Sequence, residues 1–299
     1  MGRTSVAFSP CQITGFFRIH DRFRDPNRIG STGTGICVEQ GVTTRVNLNP
    51  RSSRKNSILL NGKPLARPIV SSIVLRKFRE LSGPFRVDVA HSTELPVGCG
   101  YGTSGAGALS LALAMNEALG QPLNRIEAAQ VAHVAEVEAR TGLGTVASEF
   151  TGGVVVRLKP GAPGVGSTKR FRFGQKSRIV SGSFGPMRKT RVLGNVSLSD
   201  RVNSCGENLV SRFLRRPDGE RFVELSSRFT ECLSLKSSRL DHAMKCVAAQ
   251  GFVSCMMMLG ESLFCLVDVE FVEKASKALM KAGLKPVVSR IAYRGARLV

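Results

Sequence analysis

A glycine-rich segment that leads directly into an apolar helix constrains this chain more than any other feature. Residues 95–107 read LPVGCGYGTSGAG, with five glycines and the hydroxyl groups of Thr103 and Ser104. Glycine permits positive φ and lets backbone N–H groups approach an anion closely. Residues 108–116 are strong helix formers, so the unpaired N–H groups and positive dipole end of that helix face the loop. The segment therefore predicts a loop that binds phosphate groups.

Other glycine-rich motifs are alternatives to this interpretation. The spacing Gly100-x-Gly102-x-x-Gly105 matches the dinucleotide fingerprint, which requires an acidic residue at the end of a second strand about 20 residues further on. The next acidic residues, Glu117 and Glu127, lie in predicted helices instead. A Walker loop requires a lysine directly after the glycines, and this sequence has none there. NAD and Walker-type binding are disfavoured, and a turn without a ligand is the plain structural alternative.

The glycine-rich segment resembles the second signature of the GHMP small-molecule kinases. The positions that carry this resemblance are Pro96, Gly98, Gly100, Gly102, Ser104, Gly105 and Ala106. Residues 9–17 (SPCQITGFF) and 30–35 (GSTGTG) are similar to segments of the archaeal pantoate kinases, in which the first usually reads PGHITGFF. Further similarity to that family lies in residues 141–144, 152–153, 160–163 and 257–264. The order of several such segments makes the resemblance specific.

The resemblance implies a fold and an activity. The fold is α+β, with an N-terminal lobe like ribosomal protein S5 and a C-terminal ferredoxin-like lobe. The activity is the ATP-dependent phosphorylation of pantoate to 4-phosphopantoate in archaeal coenzyme A biosynthesis, with Mg²⁺. The length of 299 residues also predicts two lobes. We expect their boundary near the Pro/Gly-rich stretch 160–166. We expect the lobes at residues 1–158 and 159–299.

The phosphate loop supplies the residues expected to bind ATP. They are Pro96, Gly98, Gly100, Gly102, Thr103, Ser104, Gly105 and Ala106. Backbone N–H groups of residues 102–106 are expected to hold the phosphates, and the Ser104 hydroxyl to contact Mg²⁺ or the β-phosphate. The alternative for Ser104 is an ordinary position at a helix N-terminus, which serine favours.

A second group of polar side chains lies on the helix that follows. His133, Glu136 and Arg140 share one helix face, which from the residues alone is a solvated face with an internal ion pair. The resemblance instead implies that Glu136 serves ATP and the metal. Mg²⁺ prefers few carboxylates together with phosphate oxygens, so Ser104 and Glu136 are the predicted metal ligands.

The resemblance also implies that residues at three positions contact pantoate: Ser31, His133 and Arg157. Arg157 lies within an apolar run and can bind a carboxylate through two parallel hydrogen bonds. Its structural alternative is an arginine on the exposed edge of a sheet. For His133 the alternative is the helix face described above.

Two departures from the family pattern affect the chemistry. Thr145 stands nine residues after Glu136, where the family commonly has an aspartate, and a threonine is no base near neutral pH. We expect Thr145 at the catalytic centre, together with Ser104 and Glu136. Cys11 and Gln12 replace the usual Gly-His. The departures leave open a GHMP-type kinase for another small hydroxy acid and a catalytically degenerate relative that binds nucleotide or polyanion.

Composition restricts the remaining classes. Lys and Arg outnumber Asp and Glu by 43 to 22, a net charge of +21 that favours loose, salt-dependent polyanion binding. With two tyrosines, no tryptophan and no basic helix, specific nucleic-acid binding is not expected. Eight scattered cysteines without a Cys-x-x-Cys pair indicate small buried hydrophobic residues in a cytoplasmic protein. No membrane segment is expected, and a homodimer is one of the open oligomeric states.

Periodicity predicts the order of elements. Predicted helices cover 69–81, 104–119, 124–140 and 272–282, and residues 206–250 are mainly helical. Asn124 and Glu127 form a predicted capping box at the third of these regions. Predicted strands cover 5–9, 36–38, 42–48, 85–90, 154–158, 169–173, 178–184, 255–259, 263–267 and 286–291.

Overall fold

A computed structural model describes residues 3–48, 56–187 and 196–299 of the chain. The strands in these ranges are β1 (Arg3–His20), β2 (Gly30–Leu48), β3 (Ser57–Leu60), β4 (Lys63–Pro64), β5 (Val87–Ser92), β6 (Val154–Lys159), β7 (Ser167–Phe171), β8 (Ser177–Pro186), β9 (Cys255–Met256), β10 (Gly260–Asp268), β11 (Val287–Ser289) and β12 (Arg297–Leu298). The helices are α1 (Ile69–Ser82), α2 (Thr103–Ala118), α3 (Arg125–Glu138), α4 (Thr145–Thr151), α5 (Val196–Cys205), α6 (Leu209–Arg215), α7 (Gly219–Leu233), α8 (Ser238–Ala248) and α9 (Val272–Lys281).

The described strands form two separate sheets. The first has the order β12-β1-β2-β5-β3-β4, and β6 pairs with β2 and with β7. Strand β2 is long enough to pair with two strands along one edge, with β6 at residues 33–36 and with β5 at residues 43–48. The second sheet is antiparallel, in the order β11-β8-β10-β9. One mixed and one antiparallel sheet with packed helices confirm the predicted α+β class.

The N-terminal hairpin differs from the prediction. Short strands were expected at 5–9, 36–38 and 42–48, but β1 and β2 pair continuously along their length. Glycines weaken isolated strands, which is why the sequence pattern ends the strands too early. In the hairpin a glycine allows close approach instead. A Cβ on Gly33 (φ +149°) would lie 2.3 Å from the carbonyl oxygen of Phe16.

Helix α2 lies in the centre of the first layer. It packs on β1 and β2 and is flanked by α1, α3 and α4. Nearly every side chain of α2 is buried, as expected for a helix that is apolar all round. The next helix begins with the predicted capping box: Asn124 Oδ1 accepts from the amides of Ile126 and Glu127, and Glu127 Oε2 accepts from the amide of Asn124. The rigid centre of the fold therefore begins at the glycine-rich loop.

The helical region 206–250 is divided by two capping residues. Asp218 accepts a hydrogen bond from the amide of Arg221 at the start of α7, and Ser237 accepts one from the amide of Leu240 at the start of α8. Phenylalanines of this region join the two sheets. The ring of Phe222 lies 6.4 Å from that of Phe16 in β1 and 6.0 Å from that of Phe264 in β10. The two sheets therefore share one hydrophobic core.

The cysteines require a correction. Cys205 of α5 and Cys232 of α7 form a disulfide, although the sequence analysis interpreted the cysteines as unpaired. The two residues are 27 positions apart, so only the packing of α5 against α7 brings them together. The other six are free, and five of these are buried as predicted.

The sheet to which each strand belongs indicates where the boundary between the two lobes lies. Strand β7 follows the 160–166 stretch but belongs to the first sheet, and the last strand, β12, returns to that sheet beside β1. We therefore propose that the first lobe includes β7 and β12 in addition to residues 1–158. In the described ranges no helix has the length and apolar character needed to cross a bilayer.

Candidate active site

A cavity of about 90 Å³ opens where α2 begins. The glycine-rich loop and the first turn of α2 form one wall, and residues 141–145 form another. Ser31 of β2 and Arg157 of β6 also line it, and Met258 and Leu259, from the loop between β9 and β10, complete the lining. The cavity thus brings together segments that are distant in the sequence.

The glycine-rich loop adopts the backbone that its composition predicts. Gly98, Gly100 and Gly102 have φ values of +80°, +87° and +70°, which favour glycine. Gly102 is the N-cap of α2, and in the described part of the chain no side chain caps this helix. The first-turn N–H groups and the positive end of the helix dipole are therefore available to an anion.

A carboxylate lies directly beside the first turn of α2. The Ser104 hydroxyl donates to Glu136 Oε1 at 2.5 Å, and the Thr141 hydroxyl donates to the same oxygen at 2.6 Å. Glu136 belongs to α3 and is only 2% exposed, yet it lines the cavity. The structure therefore brings together the two residues predicted to bind the metal.

The oxygen atoms of Ser104 and Glu136 can be compared with the ligands that a divalent cation needs. In the described residues there is no group of three or more His, Cys, Asp or Glu side chains that could hold a metal without further ligands. One carboxylate and one hydroxyl beside an anion-binding loop match the way in which Mg²⁺ binds through few carboxylates and phosphate oxygens. Ser104 and Glu136 thus fit a metal that is shared with a phosphate ligand.

A positive charge lies on the opposite side of the cavity. Arg157 is 3% exposed, and it donates from Nε to Ser31 Oγ at 3.2 Å and from Nη1 to Ser148 Oγ at 2.9 Å. Burial lowers the pKa of Arg157 to about 10, so the guanidinium group stays charged near neutral pH. Arg157 is not the exposed edge-strand residue of the structural alternative. It can bind a carboxylate that enters the cavity beside Ser31.

Thr145 lies between these two regions. It is the first residue of α4 and lines the cavity. Its Oγ1 is 2.5 Å from the point that a Cβ on Gly105 would occupy, so it lies against the first turn of α2. The threonine therefore stands where the family pattern has an acidic side chain, at the centre of the cavity.

Four of the predicted residues do not line the cavity: Pro96, Gly105, Ala106 and His133. Gly105 is buried in the first turn of α2. His133 is buried, and its Nε2 lies 2.9 Å from the carbonyl oxygen of Ile29, two residues before Ser31. Burial lowers the pKa of His133. Ala106 faces the core, and Pro96 is exposed at the start of the loop. His133 supports the segment that carries Ser31 and does not contact the cavity directly.

Gln12 also lies behind the site. The backbone N–H group of Gln12 donates to the carbonyl oxygen of Tyr101 at 2.9 Å, and this bond fixes the glycine-rich loop to β1. Its side chain is buried, and Gln12 Oε1 accepts from the hydroxyl of Thr14, which lines the cavity. The replacement of a histidine by Gln12 thus acts on the cavity through Thr14, and Cys11 is fully buried.

A second cavity of about 220 Å³ adjoins the first and shares Thr103, Ser104 and Thr141 with it. Its other lining residues are mostly apolar and come from β3, the start of α1 and α2: Leu60, Leu65, Pro68, Ile69, Val70 and Ala108 are among them. A flat apolar group attached to a phosphate can occupy this cavity while its phosphates reach the loop.

One further polar residue of the site was missed by the sequence analysis. Glu149 of α4 is fully buried behind the glycine-rich loop. Its Oε1 is 2.7 Å from the Cβ position of Gly102, and its Oε2 is 2.8 Å from that of Gly105. The available signal was its position four residues after Thr145, which places both side chains on one face of a helix.

Comparisons with known proteins agree with this geometry. Residues 69–153 match the family described as GHMP kinases N terminal domain. The chain is 32% identical over 290 residues to the pantoate kinase of Thermococcus kodakarensis, with 95% of each chain covered. It is 30% identical over 293 residues to the pantoate kinase of Methanocaldococcus jannaschii, and the match covers 96% of this chain and 100% of the relative.

A solved structure described as "Phosphotransferase related to CoA biosynthesis pathway" is similar along the whole fold. Its TM-score is 0.88 at 29% sequence identity, with 99% of this chain and 98% of that chain covered. The similarity therefore includes both sheets and the cavity between them.

Proposed function

The chain belongs to the pantoate kinase family of the GHMP kinases, and from this premise we propose that it transfers the γ-phosphoryl group of ATP to the primary hydroxyl of pantoate. The products are ADP and 4-phosphopantoate, a precursor in coenzyme A biosynthesis. One observation carries the proposal. The glycine-rich loop and a buried arginine line the same cavity, with a hydroxyl–carboxylate pair beside the loop.

The phosphates of ATP bind at the start of α2. The backbone N–H groups of residues 102–105 donate to the phosphate oxygens, and the helix dipole favours their negative charge. The N–H group of Ala106, which the sequence also predicted to hold phosphate, instead donates to the carbonyl oxygen of Gly102 at 3.1 Å. Ser104 and Glu136 would hold Mg²⁺, which would neutralise charge on the phosphates. The adenine and ribose occupy the second, mostly apolar cavity, which meets the first at Thr103 and Ser104.

Pantoate binds on the opposite side of the cavity. Its carboxylate pairs with the Arg157 guanidinium group, and the Ser31 hydroxyl beside it donates a further hydrogen bond. The burial of Arg157 strengthens this pairing because little water competes for the carboxylate. The primary hydroxyl of the bound pantoate then points toward Thr145 and the γ-phosphate, as an in-line transfer requires.

His133 contributes to substrate binding by positioning. It contacts the carbonyl oxygen of Ile29 and so fixes the backbone that leads to Ser31. This role differs from the direct contact that the sequence resemblance implies. Pantoate specificity then depends on Ser31 and Arg157 in the cavity itself.

A coupled assay of ADP release tests the proposal directly. Purified protein with Mg²⁺ and ATP is supplied in turn with pantoate, homoserine, mevalonate and shikimate. We expect the highest kcat/KM with pantoate, because Arg157 and Ser31 can bind its carboxylate in the same cavity into which the phosphate loop opens. Faster turnover of another acceptor would identify a GHMP-type kinase for a different hydroxy acid. No turnover with any acceptor would identify a degenerate nucleotide-binding relative.

A further inference from the structure

Four apolar side chains line the cavity and have no part in the proposed phosphate transfer. They are Phe17, Leu143, Met258 and Leu259. They lie in three segments that resemble the pantoate kinases, at residues 9–17, 141–144 and 257–264. We call these four side chains the apolar wall. Apolar side chains that line a ligand cavity bind apolar parts of the ligand.

The first sheet places one member of the apolar wall in line with the buried arginine. Gly33 of β2 pairs with Phe17 of β1 on one edge and with Arg157 of β6 on the other. Residues directly opposite each other in neighbouring strands point to the same face of a sheet, and neighbouring strands lie about 4.8 Å apart. Phe17 and Arg157 therefore rise from one face, with their backbones about 10 Å apart.

No side chain separates Phe17 from Arg157, because the residue between them is a glycine. Ser31 lies two residues before Gly33 on β2, and its Oγ accepts from Arg157 Nε at 3.2 Å. This row of the sheet thus has a polar end at Arg157 and Ser31 and an apolar end at Phe17. A small molecule with one carboxylate and a neighbouring apolar group matches the two ends.

The loop of residues 141–145 brings Leu143 close to the polar end. A Cβ on the next residue, Gly144, would lie 2.8 Å from Arg157 Nε, so the backbone of this loop packs directly on the arginine. The carbonyl oxygen of Leu143 lies 3.2 Å from the Cβ position of Gly30, the neighbour of Ser31. Leu143 therefore lines the cavity beside the carboxylate-binding pair.

The hydrophobic core holds the apolar wall from behind. The Phe17 ring meets that of Phe229 of α7 edge-on, with ring centroids 5.6 Å apart. Met258 belongs to the same cluster of buried side chains, and Leu143 and Leu259 pack against it. A wall that is already packed loses little conformational freedom when a ligand covers it.

We propose that the apolar wall binds the two methyl groups on C3 of pantoate and so selects pantoate among small hydroxy acids. This inference rests on the proposed function. The carboxylate and the primary hydroxyl of pantoate are assigned to Arg157 with Ser31 and to the phosphate loop. The methyl groups are the apolar part that remains, and they lie on the carbon between those two groups. Covering the wall with methyl groups removes apolar surface from water, which favours binding.

An acceptor without the methyl groups tests the inference. 2,4-Dihydroxybutanoate keeps the carboxylate and both hydroxyls of pantoate and carries hydrogens in place of the two methyl groups. We expect the wild type to use it with a kcat/KM at least about tenfold below that for pantoate, since one methylene in an apolar pocket changes this ratio by about 10–200-fold. The measurement is the coupled assay of ADP release with each acceptor.

A variant of the wall separates contact with the methyl groups from a merely structural role. Leu143→Ala should lower kcat/KM for pantoate about tenfold and that for 2,4-dihydroxybutanoate less than about threefold, because the second acceptor has no methyl group for Leu143 to contact. Leu158→Ala is the matched control. Leu158 follows Arg157 on β6, is 41% exposed and does not line the cavity. Its variant should leave both values within about twofold of wild type.

The outcomes that overturn the inference differ from failure of the proposed function. Equal kcat/KM for the two acceptors in the wild type overturns the inference and leaves pantoate phosphorylation in place. An equal loss for both acceptors in Leu143→Ala does the same. No phosphorylation of pantoate by the wild type overturns the proposed function and the inference with it. If Leu143→Ala does not fold, Leu259→Ala takes its place, and an equal loss for both acceptors there overturns the inference.

Discussion

Ser104 is the side chain through which the phosphate loop and the metal site meet. Its hydroxyl lines both cavities and donates to Glu136. We expect Ser104→Ala to lower kcat about 100-fold, since the lost contact develops its full value only with phosphate bound. The free energy of unfolding should change by less than about 1 kcal/mol, because Glu136 keeps its hydrogen bond from Thr141. Steady-state kinetics and parallel melting curves measure the two effects, and equal losses in both would contradict the assignment.

A substitution of Arg157 tests whether this residue binds the carboxylate of pantoate. We expect Arg157→Lys to raise KM for pantoate about tenfold or more, because an ammonium group cannot make two parallel hydrogen bonds to a carboxylate. KM for ATP should stay unchanged, since Arg157 does not line the cavity assigned to adenosine. A variant in which both KM values rise together would point to a general disturbance of the site.

The site residues that could be predicted from the sequence are those that lie in a recognisable motif. Ser104 and Glu136 stand on the glycine-rich signature and on a helix face, and the structure brings them together. Ser31 and Arg157, taken from the resemblance, also meet. Glu149 was missed because no helix was predicted over residues 145–151, so nothing placed its side chain beside the loop. Only the fold shows that this side chain packs against Gly102 and Gly105.

At the scale of elements, the start of α2 combines two different requirements on glycine. Gly105 gives space to Thr145 and Glu149, whereas a Cβ on Gly107 would have only Val42 Cγ1 nearby, at 4.0 Å. We expect Gly105→Ala to lower the free energy of unfolding by about 1–3 kcal/mol through overpacking. Gly107→Ala is the matched control and should stabilise the helix by up to about 1 kcal/mol.

Thermal melting of both variants without ligand checks this prediction. A Tm of Gly105→Ala equal to or above that of Gly107→Ala would mean that α4 does not pack against α2 as described. The comparison is independent of catalysis.

Helices α2 and α3 were predicted more accurately than the N-terminal strands, for a physical reason, whereas α4 and α5 were not predicted. The bounds of α2 and α3 differ from the predicted ones by one or two residues, because apolar periodicity and the Asn124 cap are local signals. The long pairing of β1 with β2 depends on contacts between distant residues, and glycines such as Gly33 hide it in the sequence. The Cys205–Cys232 pair was missed for the same reason.

At the scale of the whole molecule, two sheets close over one site. The cavity is lined by Ser31 of β2 and Arg157 of β6 from the first sheet, and by Met258 and Leu259 from the loop that joins β9 and β10 of the second. The phenylalanines that join the sheets form the core behind it. The resemblance implied the α+β class and the length predicted two lobes, whereas the return of β12 to the first sheet depends on tertiary pairing alone.

The net charge of +21 also belongs to the whole molecule. We expect loose association with RNA whose affinity falls at least about tenfold between about 50 and 200 mM salt, as counterion release requires. Fluorescence anisotropy with a labelled RNA at several salt concentrations measures this dependence. Tight binding that persists at the higher salt would favour a dedicated nucleic-acid site.

The central claim is that the backbone at the start of α2 binds the phosphates of ATP, and calorimetry tests it most directly. Titration with ATP and Mg²⁺ should give saturable heat with a Kd between about 1 μM and 1 mM, the range usual for enzyme substrates. Adenosine, which has no phosphates, should bind at least about tenfold more weakly. No heat with ATP, or equal affinity for ATP and adenosine, would contradict the account.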